Sequence, residues 1–343
     1  MVEKRKIQKT GSSSYIVTLP KDWIDSMGLK SGDYVLIYEH EGKLIITPPK
    51  LEAGMLTGEI RVLKPIENDQ VFRILVAMYL SGYSSITVTF DKNIPELAKR
   101  ISELKNHARI KLAGIEVVDE TYNSVMMKIL LDLKELPLIR ATRRLHLIVN
   151  NMLLDALKAF YTKDTGLAEA VLQRDDEADR FHFMIVRQLA LALLDIRIMN
   201  ELGISNPVEA INYRILARNL ERIADHAVNI AKRTYHRPDD CVLCKETYDI
   251  GLRINSLFNK AMDGLYRLSR QQSEEVIFEA QEIIKTIDNM LFNKILVGDI
   301  SDQEKIVLTM VFDSLRRITR YSSGIAEATL NIRASKSSVI EIK

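Results

Sequence analysis

The sequence predicts a multidomain protein: a strand-rich domain at residues 1–50, a small α/β domain at 51–135 and an all-α domain at 136–343. Short β-branched runs punctuated by glycine and proline fill the first part. Strands alternate with helical patterns in the second. Long stretches poor in glycine and proline, with apolar residues three and four apart, fill the third and predict helix after helix.

Composition limits the classes of function. With 48 basic and 46 acidic residues the charges nearly balance, so any nucleic-acid binding must be local to one region. No apolar run is long enough to cross a bilayer and no signal segment follows the N-terminus, so we expect a cytoplasmic protein without a membrane span. Cys241 and Cys244 form a CxxC pair that suits zinc, with His236 or a second copy, or a redox pair. Two ordinary thiols in a linker is the simpler interpretation.

The first 50 residues predict a strand at 14–20, a short helix at 20–29 with proline near its start and Gly28 at its end, and a hairpin around 40–42. So small a domain has little core, which suggests stabilisation by dimerisation. Basic side chains concentrate here against one acid before Asp22, and such a patch is typical of proteins that contact phosphates. They are Lys4, Arg5, Lys6, Lys9 and Lys21.

Three runs in this domain carry a family resemblance: Val17-Thr18-Leu19-Pro20-Lys21, Met27-Gly28-Leu29-Lys30-Ser31-Gly32-Asp33 and Lys43-Leu44-Ile45-Ile46. Through them residues 3–49 resemble the SpoVT/AbrB family of DNA-binding swapped-hairpin β-barrels. The resemblance implies that two chains form the barrel and that the five basic residues are the DNA-binding candidates. A barrel that only dimerises, or that binds a partner protein, is the alternative. This chain departs from the family at Gly11-Ser12-Ser13-Ser14, where the family usually has glycine followed by arginine.

The middle segment alternates strands near 59–63, 85–90, 114–118 and 125–131 with helices near 68–80 and 94–107. This order indicates a small α/β domain. It contains no phosphate-binding loop and no catalytic pair, so we interpret it as a spacer or dimerisation module, with a small-ligand sensor as the alternative.

The C-terminal domain predicts six helices, which form two sets of three: repeat one at 138–235 and repeat two at 246–335. Glycine, proline and aspartate clusters separate them. The helices are placed at 138–162, 166–201, 207–235, 246–270, 273–297 and 302–335.

Two acidic pairs stand at a spacing of four residues within repeat one. Asp175 and Asp179 occupy positions of a helix seam that calls for apolar residues. Glu221 and Asp225 lie on one face of the next long helix. If the helices pack side by side, the four carboxylates converge and need a metal ion or Arg and Lys partners. A solvated acidic face with local salt bridges, for example to Arg174, Arg180, Arg218 or Arg222, is the alternative.

The same stretches, Arg174-Asp175-Asp176-Glu177-Ala178-Asp179 and residues 220–231, resemble the PhoU family of phosphate-uptake regulators, which is built from two three-helix repeats. The resemblance implies a metal site with Asp175, Asp179, Glu221 and Asp225 as ligands for iron, zinc or another divalent cation. In repeat two the apolar frame persists, but Arg316 and Arg320 replace Glu221 and Asp225. Asp288 matches Asp179, while Ile284 stands in place of Asp175. We therefore expect one metal site per chain, and salt bridges or a bound anion at Arg316 and Arg320.

Together the two resemblances imply a DNA-binding transcriptional regulator of phosphate uptake, an arrangement associated with archaea. A homodimer predicts a roughly palindromic operator. The alternative is a signalling adaptor that binds a phosphate transporter component or a sensor kinase and uses the barrel only to dimerise. We do not expect an enzyme, because the seam lacks the Glu-x-x-His ligands of di-iron bundles. His182 and His226 are expected to pack beside the acids.

Overall fold

The computed structural model describes residues 3–40, 42–49, 56–131 and 136–336. The chain forms two compact units, Met1–Ala53 and Gly54–Lys343, which are taken in turn. Outside the described residues lie Glu41 of the predicted hairpin, the predicted boundary at 50 and 51, residue 135 at the next boundary, and 337–343.

The first unit holds two antiparallel strand pairs and one short helix. Strand β1 (Gln8–Thr10) pairs with β2 (Ser14–Ile16), and Gly11 takes a positive φ of 63° in the turn between them. Helix α1 (Lys21–Ser26) follows Pro20, as the sequence predicts. Strands β3 (Leu36–His40) and β4 (Lys43–Thr47) then form the predicted hairpin.

The described residues of this unit form no apolar core within one chain. In the described part of residues 3–49, no Val, Ile, Leu, Met, Phe, Trp or Tyr side chain is buried. Tyr34 is 83% exposed, Ile7 72%, Tyr15 70% and Leu44 69%. Apolar side chains exposed to this degree in so small a unit are typical of a surface that another chain covers.

The second unit begins with an α/β layer whose sheet has the strand order β5-β6-β8-β7. Strands β5 and β6 are parallel and the remaining pairs antiparallel. Its core includes Leu75, Tyr79, Ile86 and Met127, each at most 1% exposed. The elements are β5 (Thr57–Val62), α2 (Asn68–Leu80), β6 (Ser85–Phe90), α3 (Leu97–Lys111), β7 (Ile115–Glu120) and β8 (Ser124–Ile129).

The helical part follows, and its long helices pack as two sets of three. Helices α4, α5 and α7 contact one another, and α10 packs on α8 and α9. The sets meet where α7 packs on α10 and α4 on α8. The helices are α4 (Leu138–Thr162), α5 (Thr165–Leu194), α6 (Ile196–Glu201), α7 (Pro207–Arg233), α8 (Cys244–Arg267), α9 (Arg270–Met290) and α10 (Asp302–Ser335).

The prediction of one helix over 166–201 is wrong, because the chain breaks at Asp195. This residue is extended, with φ −141° and ψ 119°, and caps α6 by accepting a hydrogen bond from the Arg197 backbone N–H at 2.8 Å. Apolar residues continue in helical register across the break, so the pattern alone conceals it. A second difference is smaller: α9 continues as a π-helical segment over Leu291–Ile295.

The two cysteines are joined in a disulfide, Cys241–Cys244. Cys244 is the first residue of α8, and its side chain is 1% exposed. The interpretation of the pair as two ordinary thiols in a linker is therefore wrong.

The α/β layer docks on α5 of the helical part. Arg187 of α5 is 4% exposed and donates to the carbonyl oxygens of Tyr79 at 2.6 Å and Gly82 at 3.4 Å. Its guanidinium also lies 4.9 Å from the centre of the Tyr79 ring. These contacts fix α2 against α5. No helix in the described part of the chain is long and apolar enough to span a membrane.

Candidate functional site

The two acidic pairs meet where α5 and α7 pack in the first three-helix set. Asp175 and Asp179 lie on α5, and Glu221 and Asp225 lie on α7. Across the two helices, the charge of Asp225 contributes to a raised pKa of Asp175, and the charge of Asp179 to a raised pKa of Glu221. The helices therefore bring together the four carboxyl groups that the sequence singled out. We call these four residues the acidic cluster.

A lysine from the α/β layer enters the acidic cluster. Lys111, the last residue of α3, places its Nζ 2.8 Å from Asp179 Oδ2 and 3.1 Å from Asp176 Oδ1. Burial disfavours its charge, but the ion pairs with Asp179 and Asp176 outweigh that effect and raise the pKa of Lys111. Sequence reasoning missed this residue, because it lies 68 positions before Asp179 and reaches it only through docking of α3 on α5.

The acids on α7 are paired with arginines of their own helix. Arg218 Nη1 donates to Glu221 Oε1 at 2.8 Å, and Arg222 Nη1 to Asp225 Oδ2 at 3.4 Å. Both arginine side chains are more than 40% exposed, so solvent screens these pairs. Glu221 Oε2 is buried without a hydrogen-bond partner. The local arginines therefore compensate the acids only in part.

Raised pKa values of three of the acids also indicate that nearby positive charge compensates them only in part. Burial, followed by the charge of Asp179, raises the pKa of Asp175 to about 6. Burial and then the charge of Asp225 raise the pKa of Glu221 to about 7. Burial also raises the pKa of Asp225. Each ionised carboxylate disfavours ionisation of its neighbours, as expected for acids that share one site.

The residues fit a divalent cation in charge and in donor chemistry. Clustered carboxylate oxygens are ligands that such cations accept, and Glu221 Oε2, which has no hydrogen bond and lies 3.9 Å from Arg222 Nε, is an available donor. Asp179 is paired with Lys111, and the acids of α7 are paired with Arg218 and Arg222. Among the described residues no three His, Cys, Asp or Glu side chains are arranged to hold a metal. Cation binding thus requires the carboxylates to turn from these partners.

The nearby histidines pack as expected. His182 is 2% exposed, and its Nδ1 lies 3.1 Å from the carbonyl oxygen of Ala217. Burial lowers the pKa of His182 to about 4, so the ring is neutral. The His226 ring stacks on Tyr321 with 5.9 Å between ring centres.

The second three-helix set carries an ion pair at the corresponding place. Arg316 of α10 lies 2.6 Å from Asp288 Oδ1 of α9. The expectation of a salt bridge at Arg316 is thus confirmed. Arg320, which corresponds to Asp225, is exposed.

The basic candidates of the first unit are all exposed, and three of them precede its first strand. Lys9 lies on β1 opposite Tyr15 of β2, and Lys21 is the first residue of α1. Arg5 forms an ion pair with Glu3. The whole set of exposed candidates is Lys4, Arg5, Lys6, Lys9 and Lys21.

Two domain families match separate parts of the chain. Residues 142–234, which contain both acidic pairs, match the PhoU domain. Residues 8–53 match the family described as antidote-toxin recognition MazE, bacterial antitoxin, which is AbrB-like.

Similar proteins bear the PhoU name. A phosphate-specific transport system accessory protein PhoU homolog of Clostridium acetobutylicum is 20% identical over 205 residues, which cover 56% of this chain and 89% of that protein. A protein of the same description from Caulobacter vibrioides is 35% identical over 96 residues, 28% of this chain and 38% of that protein.

Two crystal structures are similar at low sequence identity. PhoU from Pseudomonas aeruginosa aligns with a TM-score of 0.47 and 20% identity, covering 57% of this chain and 94% of that one. The phosphate transport system regulatory protein PhoU from Streptococcus pneumoniae aligns with a TM-score of 0.48 and 16% identity, covering 60% and 96%.

Proposed function

We propose that this protein is a dimeric, DNA-binding transcriptional regulator of phosphate uptake. The observation that carries the proposal is that one chain joins a basic AbrB-like unit to a PhoU domain. The relatives are named as accessory proteins of phosphate transport, which supports phosphate uptake as the regulated process. The proposed activity is binding and regulation, not catalysis.

The first unit has two properties that suit a DNA-binding dimer. Its basic residues are exposed near its N-terminal strands, where they can contact phosphate oxygens of a duplex. Its apolar residues, such as Ile7, Tyr15 and Leu44, lack a core within one chain, and pairing two chains would cover them. A two-fold dimer would read a roughly palindromic operator.

The acidic cluster is the proposed regulatory site, with Asp175, Asp179, Glu221 and Asp225 as ligands. Iron, zinc or another divalent cation held there would supply the positive charge that Arg218 and Arg222 provide only in part. Lys111 pairs with Asp179 of the cluster, so it would have to give up that contact when a cation binds. Because Lys111 ends α3, occupancy of the cluster would be transmitted to the α/β layer.

A signalling adaptor is the second candidate. The relatives' description as transport-system accessory proteins favours a protein partner, such as a transporter component or a sensor kinase. In that case the first unit would serve only to dimerise, and its basic residues would not need to meet DNA.

A salt titration of DNA binding separates the two candidates. Binding would be measured by fluorescence anisotropy on duplexes from upstream of this gene and of phosphate-transporter genes, with a scrambled duplex as reference. For a regulator, log affinity falls steeply with log salt, by about 0.9 for each phosphate contact. The test variant replaces Lys4, Arg5, Lys6, Lys9 and Lys21 with Gln.

The matched control changes five exposed lysines of the second unit to Gln: Lys92, Lys99, Lys128, Lys245 and Lys285. It has the same net charge as the test variant. We expect the test variant to lose selective binding and most of the salt slope, and the control to keep both. Equal loss in both variants, or wild-type binding no tighter than to the scrambled duplex, would contradict the regulator and favour the adaptor.

A further inference from the structure

The disulfide lies in the connection between the two three-helix sets. Cys244 begins α8 and is buried, whereas Cys241 lies in the preceding loop and is partly exposed. An incoming thiolate can therefore reach the sulfur of Cys241 more readily than that of Cys244. The two ends of the bond differ in access.

They also differ in electrostatic surroundings. The Arg237 guanidinium donates from Nε to Cys244 Sγ at 3.1 Å. Cys244 is also the first residue of a 24-residue helix, whose N-terminus favours negative charge. Both features stabilise a thiolate on Cys244, and a stabilised thiolate is the better leaving group in thiol–disulfide exchange.

A buried carboxylate lies near the sulfur of Cys241. Glu304 of α10 is 2% exposed, and its Oε1 accepts the Leu243 backbone N–H at 3.0 Å. The same oxygen lies 3.5 Å from Cys241 Sγ. A carboxylate there favours a protonated thiol on Cys241 once the bond is reduced. It also holds the backbone between the two cysteines to α10.

We propose that Cys241 and Cys244 form a reversible thiol–disulfide exchange site that accepts electrons from a dithiol. The donor's thiolate attacks Cys241 Sγ, the Cys241–Cys244 bond breaks, and Cys244 leaves as the thiolate beside Arg237. The donor's second thiolate then attacks the donor sulfur bound to Cys241 and releases Cys241, which takes up a proton. Two electrons pass to the cysteine pair, the donor becomes a disulfide, and its second thiol proton goes to solvent. This site is independent of the proposed DNA and cation binding.

The experiment equilibrates the folded, full-length protein against mixtures of reduced and oxidised dithiothreitol. Free thiols are trapped with iodoacetamide and counted by mass spectrometry after denaturation. Circular dichroism confirms that each sample keeps its helices. We expect no adducts in fully oxidised buffer, two in fully reduced buffer, and a single transition between them.

Arg237→Gln tests the assignment of the leaving group, with Arg267→Gln at the exposed C-terminal end of α8 as the control. Loss of the guanidinium should shift the equilibrium towards the disulfide by about three- to tenfold, while the control matches the wild type. Labelling of both cysteines in fully oxidised buffer, resistance of the folded protein to dithiothreitol, or equal behaviour of the two variants would overturn the proposal.

Discussion

The two three-helix sets of the helical part share a scaffold but carry opposite chemistry at corresponding positions. Leu220, Ile223 and Ile230 of α7 correspond to Leu315, Ile318 and Ile325 of α10, and all six are fully buried. On α5 and α7 the polar positions hold four acids, whose negative charge Lys111, Arg218 and Arg222 compensate only in part. On α9 and α10 they hold the Arg316–Asp288 ion pair.

This difference distinguishes the residues that maintain the fold from the residues that form a site. The apolar frame is the same in both sets and supports the helices wherever they pack. The polar positions differ between the sets. In the second set Asp288 is paired with Arg316 of the same set. In the first set Asp179 is paired with Lys111, which belongs to the neighbouring α/β layer. Only the first set, therefore, is expected to respond to an added cation.

The largest expected effect tests the shared frame. Ile223→Ala and Ile318→Ala should each lower the free energy of unfolding by about 2–5 kcal/mol, because each leaves a cavity in a fully packed interior. Urea denaturation followed by circular dichroism measures both. A large loss in one set and almost none in the other would break the correspondence between them.

The next effect concerns the ion pair of the second set. Arg316→Met should lower the free energy of unfolding by about 1–2 kcal/mol, because it leaves Asp288 without its cation. The Arg316 side chain is 25% exposed and that of Asp288 44%, so solvent limits the loss. The control, Arg320→Gln at an exposed position of the same helix, should stay within about 0.5 kcal/mol of the wild type.

The smallest effect has the opposite sign and lies in the first set. The folded state raises the pKa of Asp175 to about 6 and of Glu221 to about 7, so it binds protons more tightly than the unfolded chain. The free energy of unfolding should therefore fall as pH rises from about 4 to about 7. In chelator at pH 8, Glu221→Gln should raise it by about 1 kcal/mol after allowance for screening.

Urea titrations across this pH range provide the measurement, with Glu274→Gln at an exposed position of α9 as the control. The Glu221 variant should show a flatter profile than the wild type, and the control should not. A destabilised Glu221 variant would show that the acids are already compensated, and a stabilised control would show that the gain does not come from the cluster.

Local sequence patterns predicted most of the elements. Helix α2 (Asn68–Leu80) and strand β6 (Ser85–Phe90) match their predicted bounds, because periodicity and turn residues agree there. The acids of the cluster were also found from spacing, since residues four apart on packed helices converge. Whether they bind metal stays a prediction.

What the sequence concealed depends on contacts between distant residues or on capping. Lys111 reaches Asp179 only because the α/β layer docks on α5. The helix breaks at Asp195 because this residue caps α6, although the apolar pattern continues without interruption on both sides. The disulfide requires that the loop before α8 bring Cys241 to Cys244, and two cysteines in a sequence are equally compatible with free thiols.

The most direct test of the central claim is calorimetric titration of the metal-free, full-length protein with Mn²⁺ under reducing, phosphate-free conditions. Three proteins would be compared: the wild type, Asp175→Asn combined with Glu221→Gln, and Asp288→Asn. We expect the first-set variant to lose affinity by at least about tenfold, because two ligands lose their charge. We expect wild-type binding for Asp288→Asn. Unchanged binding in the first-set variant, or loss in Asp288→Asn, would contradict a cation site confined to the acidic cluster.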